Sequence, residues 1–417
     1  MKKIAGLAIT LLLLVGTTAV TAQSGQKPLE ITFWSLFTGG DGEFFDAMVK
    51  EFNASQNEIV MKTDTVKFDD YYTKLTAALA AKTAPDVVVM HQDRLSTFVP
   101  SGVLLPLDTY VQKAGIDLST FEEAPLNNCK INNKLYAIPL DVHPIIMYCN
   151  MDLFSKAGIT KLPESLSELI STAETIQNKT GAIGIAADNT TATYKAYTLT
   201  RMFLSMLMEQ GVYVFNADNT KANFNNEAGI KAYQALSDIV NKYKLTPKGY
   251  DYDSSVADFR LGKAAIHFNG VWVTGLFEQQ PNLNFVAVKF PALFGKNAAW
   301  AGSHTFAIPA QKSVDEKKII GAMKFIDWMT NHGYLWAKAG HVPTRKTAVN
   351  TKEFKSLPHR ADYADAAKYV FATPATPKWP QCYDVMSDQL EESIALNRDA
   401  KTALTKLEQA INDILKK

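Results

Sequence analysis

The stretch Pro85-Asp86-Val87-Val88-Val89-Met90 decides the fold. Four apolar residues in succession, without the alternation of a half-exposed strand, describe a strand buried on both faces, as in a parallel sheet covered by helices. Upstream, Leu29, Ile31 and Phe33 alternate with Glu30, Thr32 and Trp34 as a strand, and Phe44, Phe45, Met48, Val49 and Phe52 mark one face of a following helix. Ile59 to Val66 and a helix around Tyr71 to Ala81 repeat this unit. Downstream, the pattern predicts helices near 164–178, 196–209, 227–243 and 314–331, short strands at 264–268, 284–290 and 304–309, and helix over the last 35 residues. Strand and helix alternate throughout, so the fold class is α/β. Leu135 to Tyr148 is extended and β-rich. Pro139 and Pro144 cannot both sit inside a regular central strand, so this stretch reads as a strand crossing from one domain to another.

The N-terminus sets the location. Lys2 and Lys3 form a positive patch, Ile4 to Val15 is apolar, and Val20-Thr21-Ala22 supplies small residues before a cut after Ala22. Residues 1–22 are therefore expected to be a signal peptide, too short for a bilayer core of about 30 Å. A lipid anchor would need a cysteine at the cut, and the first cysteine is Cys129. The expected product is a free, exported protein of the periplasm. Removing 22 of 417 residues leaves 395, enough for two domains. The 43 basic and 42 acidic side chains nearly balance and form no basic stripe, which argues against nucleic acid as a partner. Cys129, Cys149 and Cys382 are an odd set, so at most one disulfide is expected and at least one thiol is left over.

In open α/β sheets, ligands bind beyond the carboxyl ends of the strands. The turns there are Phe37-Thr38-Gly39-Gly40-Asp41-Gly42, His91-Gln92-Asp93-Arg94, Asp141-Val142-His143, Asn269-Gly270-Val271-Trp272 and Gly302-Ser303-His304. Glycines admit a ligand close to the backbone, Asp, Asn and His bond hydroxyls, and an indole offers a face to stack on. That mixture suits a sugar. Each residue also has a structural reading: Asp41 and Asp93 as helix caps, Arg94 in an ion pair, Trp34, Trp272 and Trp300 as packed aromatics, His143 and His304 as satisfied polar groups. Catalysis has no positive signal, because the sequence carries no G-x-S-x-G, no H-E-x-x-H, no phosphate loop and no metal-ligand spacing among its seven histidines. The expectation is a binding protein with no enzymatic activity, cofactor or metal.

The segment from Pro85 to Arg94, followed by Ser101-Gly102-Val103-Leu104-Leu105, resembles the family 1 extracellular solute-binding proteins, which include the maltose-binding protein. The likeness continues through Tyr136 to His143, Asn150 to Phe154, Gly262 to Ile266, Asn269 to Trp272 and His341 to Arg345. It implies a two-lobed periplasmic binding protein fold of type II, a ligand in the interlobe cleft, and delivery to the membrane permease of an ATP-binding-cassette importer by a monomer. It also implies discontinuous lobes, expected at 23–139 plus 300–345 and 140–299 plus 346–417. By this resemblance Asp41, Asp93, Arg94 and Trp272 match ligand contacts. His143 replaces a carboxylate of the maltose binder and Met90 a cleft aromatic. Asp141, His143, Trp300, Gly302, Ser303 and His304 look like members that take monosaccharides or short oligosaccharides. Tyr72, Tyr194, His341 and Trp379 fall where relatives place contacts, and Trp34, Asn269 and Arg345 complete the candidate set. A glycerol phosphate is the alternative ligand.

Overall fold

The computed structural model describes residues 27–190, 197–365, 373–374 and 376–417. The expected signal peptide and Tyr194 lie outside them. The strands relevant here are β1 (Leu29–Ser35), β2 (Ile59–Thr65), β3 (Val87–His91), β4 (Ala137–Pro139), β5 (Asp141–Asn150), β6 (Ile183–Ala186), β7 (Ala264–Gly270), β8 (Phe285–Lys289), β9 (Ala301–Gly302), β10 (His304–Ala307) and β11 (Val342–Pro343).

Two lobes result. The first sheet has the order β2-β1-β3-β10-β4. Val87 to Met90 are fully buried, as an unalternating run requires. The sheet is mixed, however: β3 runs parallel to β1 but antiparallel to β10, because the chain re-enters this sheet from the other lobe. The second sheet has the order β8-β5-β7-β6, with only β6 and β7 parallel. One core gathers Ile31 to Leu140 with Phe306 to Ala339; another gathers Ile145 to Trp300 with Trp379 to Leu415.

The connection between the lobes is local and short. Leu140 separates β4 from β5, so the two prolines fall in different strands. Pro144 does lie inside β5, but where β5 has a single partner: Ala301 pairs with Pro144 and Gly302 with His143. A residue without an amide hydrogen is tolerated where only one ladder runs. One step earlier, β11 takes over, with Val342 opposite Val142 and Pro343 opposite Asp141. Three passages of the chain thus meet around Asp141–Pro144.

Helices cover the sheets: α1 (Gly42–Ser55), α2 (Phe68–Ala81), α3 (Tyr197–Glu209), α4 (Glu316–Asn331), α5 (Gly333–Trp336), α6 (Trp379–Ala395) and α7 (Ala400–Lys416). The pattern read as helix over 227–243 is a helix Glu227–Ser237 that widens into one π turn at Asp238–Lys242. None of the described helices is long and apolar enough to cross a membrane.

Candidate functional site

Between the two cores lies a cavity of about 130 Å³, room for about four water molecules. The first lobe lines it with Leu36 to Gly39 and Asp41 from the turn after β1, Phe68 at the start of α2 and His91 at the end of β3. The second supplies Tyr197 and Arg201 from α3, Tyr252, Trp272 from the turn after β7, and Trp300 just before β9. His143 and His304, on the strands that pass between the lobes, complete the lining. These positions follow the rule that strand ends build sites in open α/β sheets.

A buried carboxylate organises the histidines. Asp141 has no exposed surface. Its Oδ1 accepts from His143 Nδ1 and from the backbone N–H of His304, both at 2.9 Å. Its Oδ2 accepts from His304 Nδ1 at 2.8 Å and from Trp336 Nε1 at 2.6 Å. His341 Nδ1 lies 3.0 Å from the same oxygen as an ion pair, at an angle that makes no hydrogen bond, while its Nε2 is 3.2 Å from Asp41 Oδ2. The His341 ring lies flat on Trp336, 4.2 Å away.

Charge follows from these contacts. Burial would depress His341, but the carboxylates of Asp141 and Asp41 override it and raise its pKa to about 9. Burial, reinforced by His304, pushes His143 down to about 3, so its ring is neutral. Burial also opposes ionisation of Asp141, yet the surrounding imidazoles hold its carboxyl well below the usual range. Because a carboxylate only accepts, His143 carries its proton on Nδ1 and leaves Nε2 as a bare acceptor. His91 is arranged oppositely. The Tyr72 hydroxyl accepts from the His91 backbone N–H at 2.9 Å and donates to His91 Nδ1 at 2.6 Å. Burial keeps that ring neutral, so its remaining proton is on Nε2. The cavity therefore offers imidazoles of both hydrogen-bonding senses.

Asp141, His143, His304 and His341 each place one ligand-type atom within 4.8 Å of the others, the spacing of a candidate metal group. Both Asp141 oxygens already accept direct hydrogen bonds, so the arrangement is complete as a charge network.

Other candidates sit as follows. Trp272 donates through Nε1 to the Tyr252 hydroxyl at 2.8 Å. Gly302 faces His143 so closely that a Cβ there would lie 2.2 Å from its Nε2. Ser303 is buried with its hydroxyl unpartnered, and its carbonyl accepts from the Gln92 amide. Asp41 stands at the N-terminus of α1 without capping it, its carboxylate turned to His341 instead. Asp93 does not line the cavity; one of its oxygens is buried and unpartnered. Arg94 lies over the Tyr72 ring, 4.3 Å from its centre, behind His91. Asn269 is occupied by His267 and the Gly270 amide. Trp34 packs on the first core under Lys74, Trp379 packs in the second core against Phe215, and Arg345 pairs with Asp327 and Asn331. None of these last four lines the cavity.

The structure adds lining residues absent from the candidate set, above all His91, Tyr197, Arg201 and Tyr252. Arg201 had a visible signal: in Tyr197-Thr198-Leu199-Thr200-Arg201-Met202-Phe203-Leu204-Ser205-Met206-Leu207 it is the one charged residue, and the helix's one acidic side chain, Glu209, is its last residue. A cation there needs a reason.

Among curated proteins, the chain is 26% identical over 380 residues to the arabinooligosaccharide-binding protein of Bacillus subtilis (strain 168), covering 87% of this chain and 84% of that one. Among solved structures it is similar in fold to the GacH receptor of Streptomyces glaucescens GLA.O, solved unliganded and with acarbose, with a TM-score of 0.83 and 21% identity over 94% of this chain and 99% of that one. It is likewise similar to a solute-binding protein of an ABC transporter from Thermotoga lettingae TMO bound with alpha-D-tagatose, with a TM-score of 0.81 and 21% identity over 93% of this chain and 100% of that one. The family model described as bacterial extracellular solute-binding protein matches residues 38–335, well over half the sequence. The two lobes, the cleft between them and this match agree: the chain belongs to the bacterial extracellular solute-binding protein family.

Proposed function

We propose that this protein captures a monosaccharide or short oligosaccharide in the periplasm by lobe closure and hands it, as a monomer, to the membrane permease of an ATP-binding-cassette importer. The observation that carries this reading is the interlobe cavity, lined by Trp272 and Trp300 with His143 beside both indoles and His91 and His304 next to that imidazole. Indoles give affinity with tolerance, and imidazoles of fixed tautomer discriminate hydroxyls, because a missing hydroxyl leaves a buried polar group unpaired. The arabinooligosaccharide-binding relative supports the substrate class. Among the described residues the lining carries one carboxylate, Asp41, whereas glycoside hydrolysis uses a pair, which supports binding without catalysis. Export by the 1–22 leader, cut after Ala22, and lobes at 23–139 plus 300–345 and 140–299 plus 346–417 belong to the same proposal. The separate cores and the partner change of β5 support limits near Leu140 and Trp300, with Trp300 itself packed in the second core.

A thermal-shift series with mono- and oligosaccharides tests it, since a ligand of the native state raises its melting temperature. One sugar class should stabilise the protein and be recovered uncleaved, with micromolar binding worth about −8 kcal/mol. Trp272→Ala should remain folded and bind that sugar at least tenfold more weakly. No shift with any sugar, or a sugar recovered cleaved, overturns the proposal.

A further inference from the structure

We infer that the ligand is a sugar bearing one compact anionic group, a carboxylate or a phosphate, and that Arg201 recognises it. The inference rests on the sugar-binding reading above and narrows it.

Arg201 is in an unusual position for a structural cation. Its guanidinium lies 4.5 Å from the centre of the Trp300 ring, 4.9 Å from Trp272 and 5.3 Å from Tyr197, and all four residues line the cavity. It makes no ion pair among the described residues, and its Nε is buried without a hydrogen-bond partner. The other two arginines near candidate turns differ. Arg345 is paired with Asp327, and Arg94 covers Tyr72 outside the cavity. Three aromatic faces stabilise a guanidinium and fix its plane, and the Tyr383 hydroxyl interacts with its side chain, but no carboxylate among the described residues pairs with the edge of its fork. Such an edge is built to meet a carboxylate or phosphate with two parallel hydrogen bonds.

The rest of the lining points the same way. A site for a neutral sugar would aim carboxylates at hydroxyls, yet Asp141 is fully engaged by His143, His304 and Trp336, and Asp93 stays outside the cavity. Asp41 remains, and it already faces His341. An internal candidate to neutralise Arg201 is Asp188, a buried residue whose carboxylate accepts from the Thr198 amide. Burial pushes that acid up to about 6 while the charge of Arg201 pulls it down, so Asp188 offsets part of the cation's charge from a distance but forms no salt bridge with the guanidinium. Arg201 also covers one face of each indole, so both rings position the cation as well as offering a stacking surface. The ligand's hydroxyls then fall to the histidines and its anionic group to α3.

Calorimetric titration of the purified mature protein with hexoses, the matching hexuronates and hexose phosphates tests this. The expected result is at least tenfold tighter binding of a charged sugar than of its neutral parent, weakened by added salt. A hexuronate preference identifies the carboxylate and a hexose phosphate preference the phosphate; either supports the inference. Arg201→Met should lower affinity for the charged sugar at least tenfold more than for the neutral one, and Arg201→Lys, which keeps the charge but not the fork, should fall between. Equal or tighter binding of the neutral parent overturns the inference while leaving the sugar reading intact. An unchanged preference in folded Arg201→Met or Arg201→Lys also overturns it. Absence of binding by all three sets overturns the inference, and joined to no shift in the mono- and oligosaccharide series it overturns the sugar reading itself.

Discussion

Trp336 Nε1 donates to Asp141 Oδ2 at 2.6 Å, joining residues 195 positions apart where three passages of the chain meet. Both side chains are fully buried. The carboxylate is held by an indole, two imidazoles, an amide and the His341 cation, so losing its charge strands a cation and several donors together. Removing one partner of a buried ion pair costs about 3–5 kcal/mol. Asp141→Asn should lower the stability measured by urea denaturation by about that amount, and Trp336→Phe by about 1–3 kcal/mol for the orphaned acceptor. Two variants as stable as the wild type would show that the hub does not organise the interlobe junction.

His341 makes part of that stability depend on pH. Its pKa is raised from 6.5 to about 9, so between those values the native state holds a proton that the unfolded state has lost. Its contribution is complete below about pH 6.5 and drains away as pH rises through 9, up to about 3 kcal/mol in all. His143, depressed to about 3, acts in the opposite direction: its contribution is present above pH 6.5 and is lost as pH falls toward 3. Denaturation of wild type and His341→Gln at several pH values separates the two. Their difference should be largest near pH 6 and shrink above pH 9; a difference constant with pH would refute the assignment.

At Gly302 the constraint is spatial. A methyl group there would meet His143 Nε2 at 2.2 Å, and that ring cannot swing freely because Nδ1 is bonded to Asp141. Gly302→Ala should therefore displace the imidazole from the cavity and weaken sugar binding by tenfold or more, with folding retained. The check is calorimetry beside a circular dichroism melt. Full affinity in this variant would remove His143 from the site.

Much of the fold was legible because apolar periodicity reports burial directly. The unalternating run at Val87–Met90 and the helix faces of α1 and α4 lie where their patterns put them. What the run could not reveal is the direction of its second neighbour, β10, which returns from more than 200 residues away. The site was legible only where a turn follows a strand. Asp41, His143, Trp272, Trp300 and His304 line the cavity for that reason. Asp93 lies in an equally plausible turn but points into protein, and Trp379 and Arg345 sit in packing and ion-pair roles that their residue types do not distinguish from ligand contact. Arg201 lies within a helix, where the strand-end rule does not look. The Asp141 network was illegible as a network, since only contact in space joins Asp141, His304, Trp336 and His341.

The cysteines extend the argument from burial to chemistry. The sequence allowed one disulfide, but Cys129, Cys149 and Cys382 are all free and buried. Burial pushes the Cys129 thiol up to about 12 and that of Cys382 up to about 11, and raises Cys149 as well. The thiolate is the reactive form, so all three should resist alkylation in the folded protein even in an oxidising compartment. A colorimetric thiol assay should count none within minutes under native conditions and three in denaturant, with a melting temperature indifferent to reductant. One fast-reacting thiol, or fewer than three after unfolding without reductant, would show that a cysteine is exposed or paired.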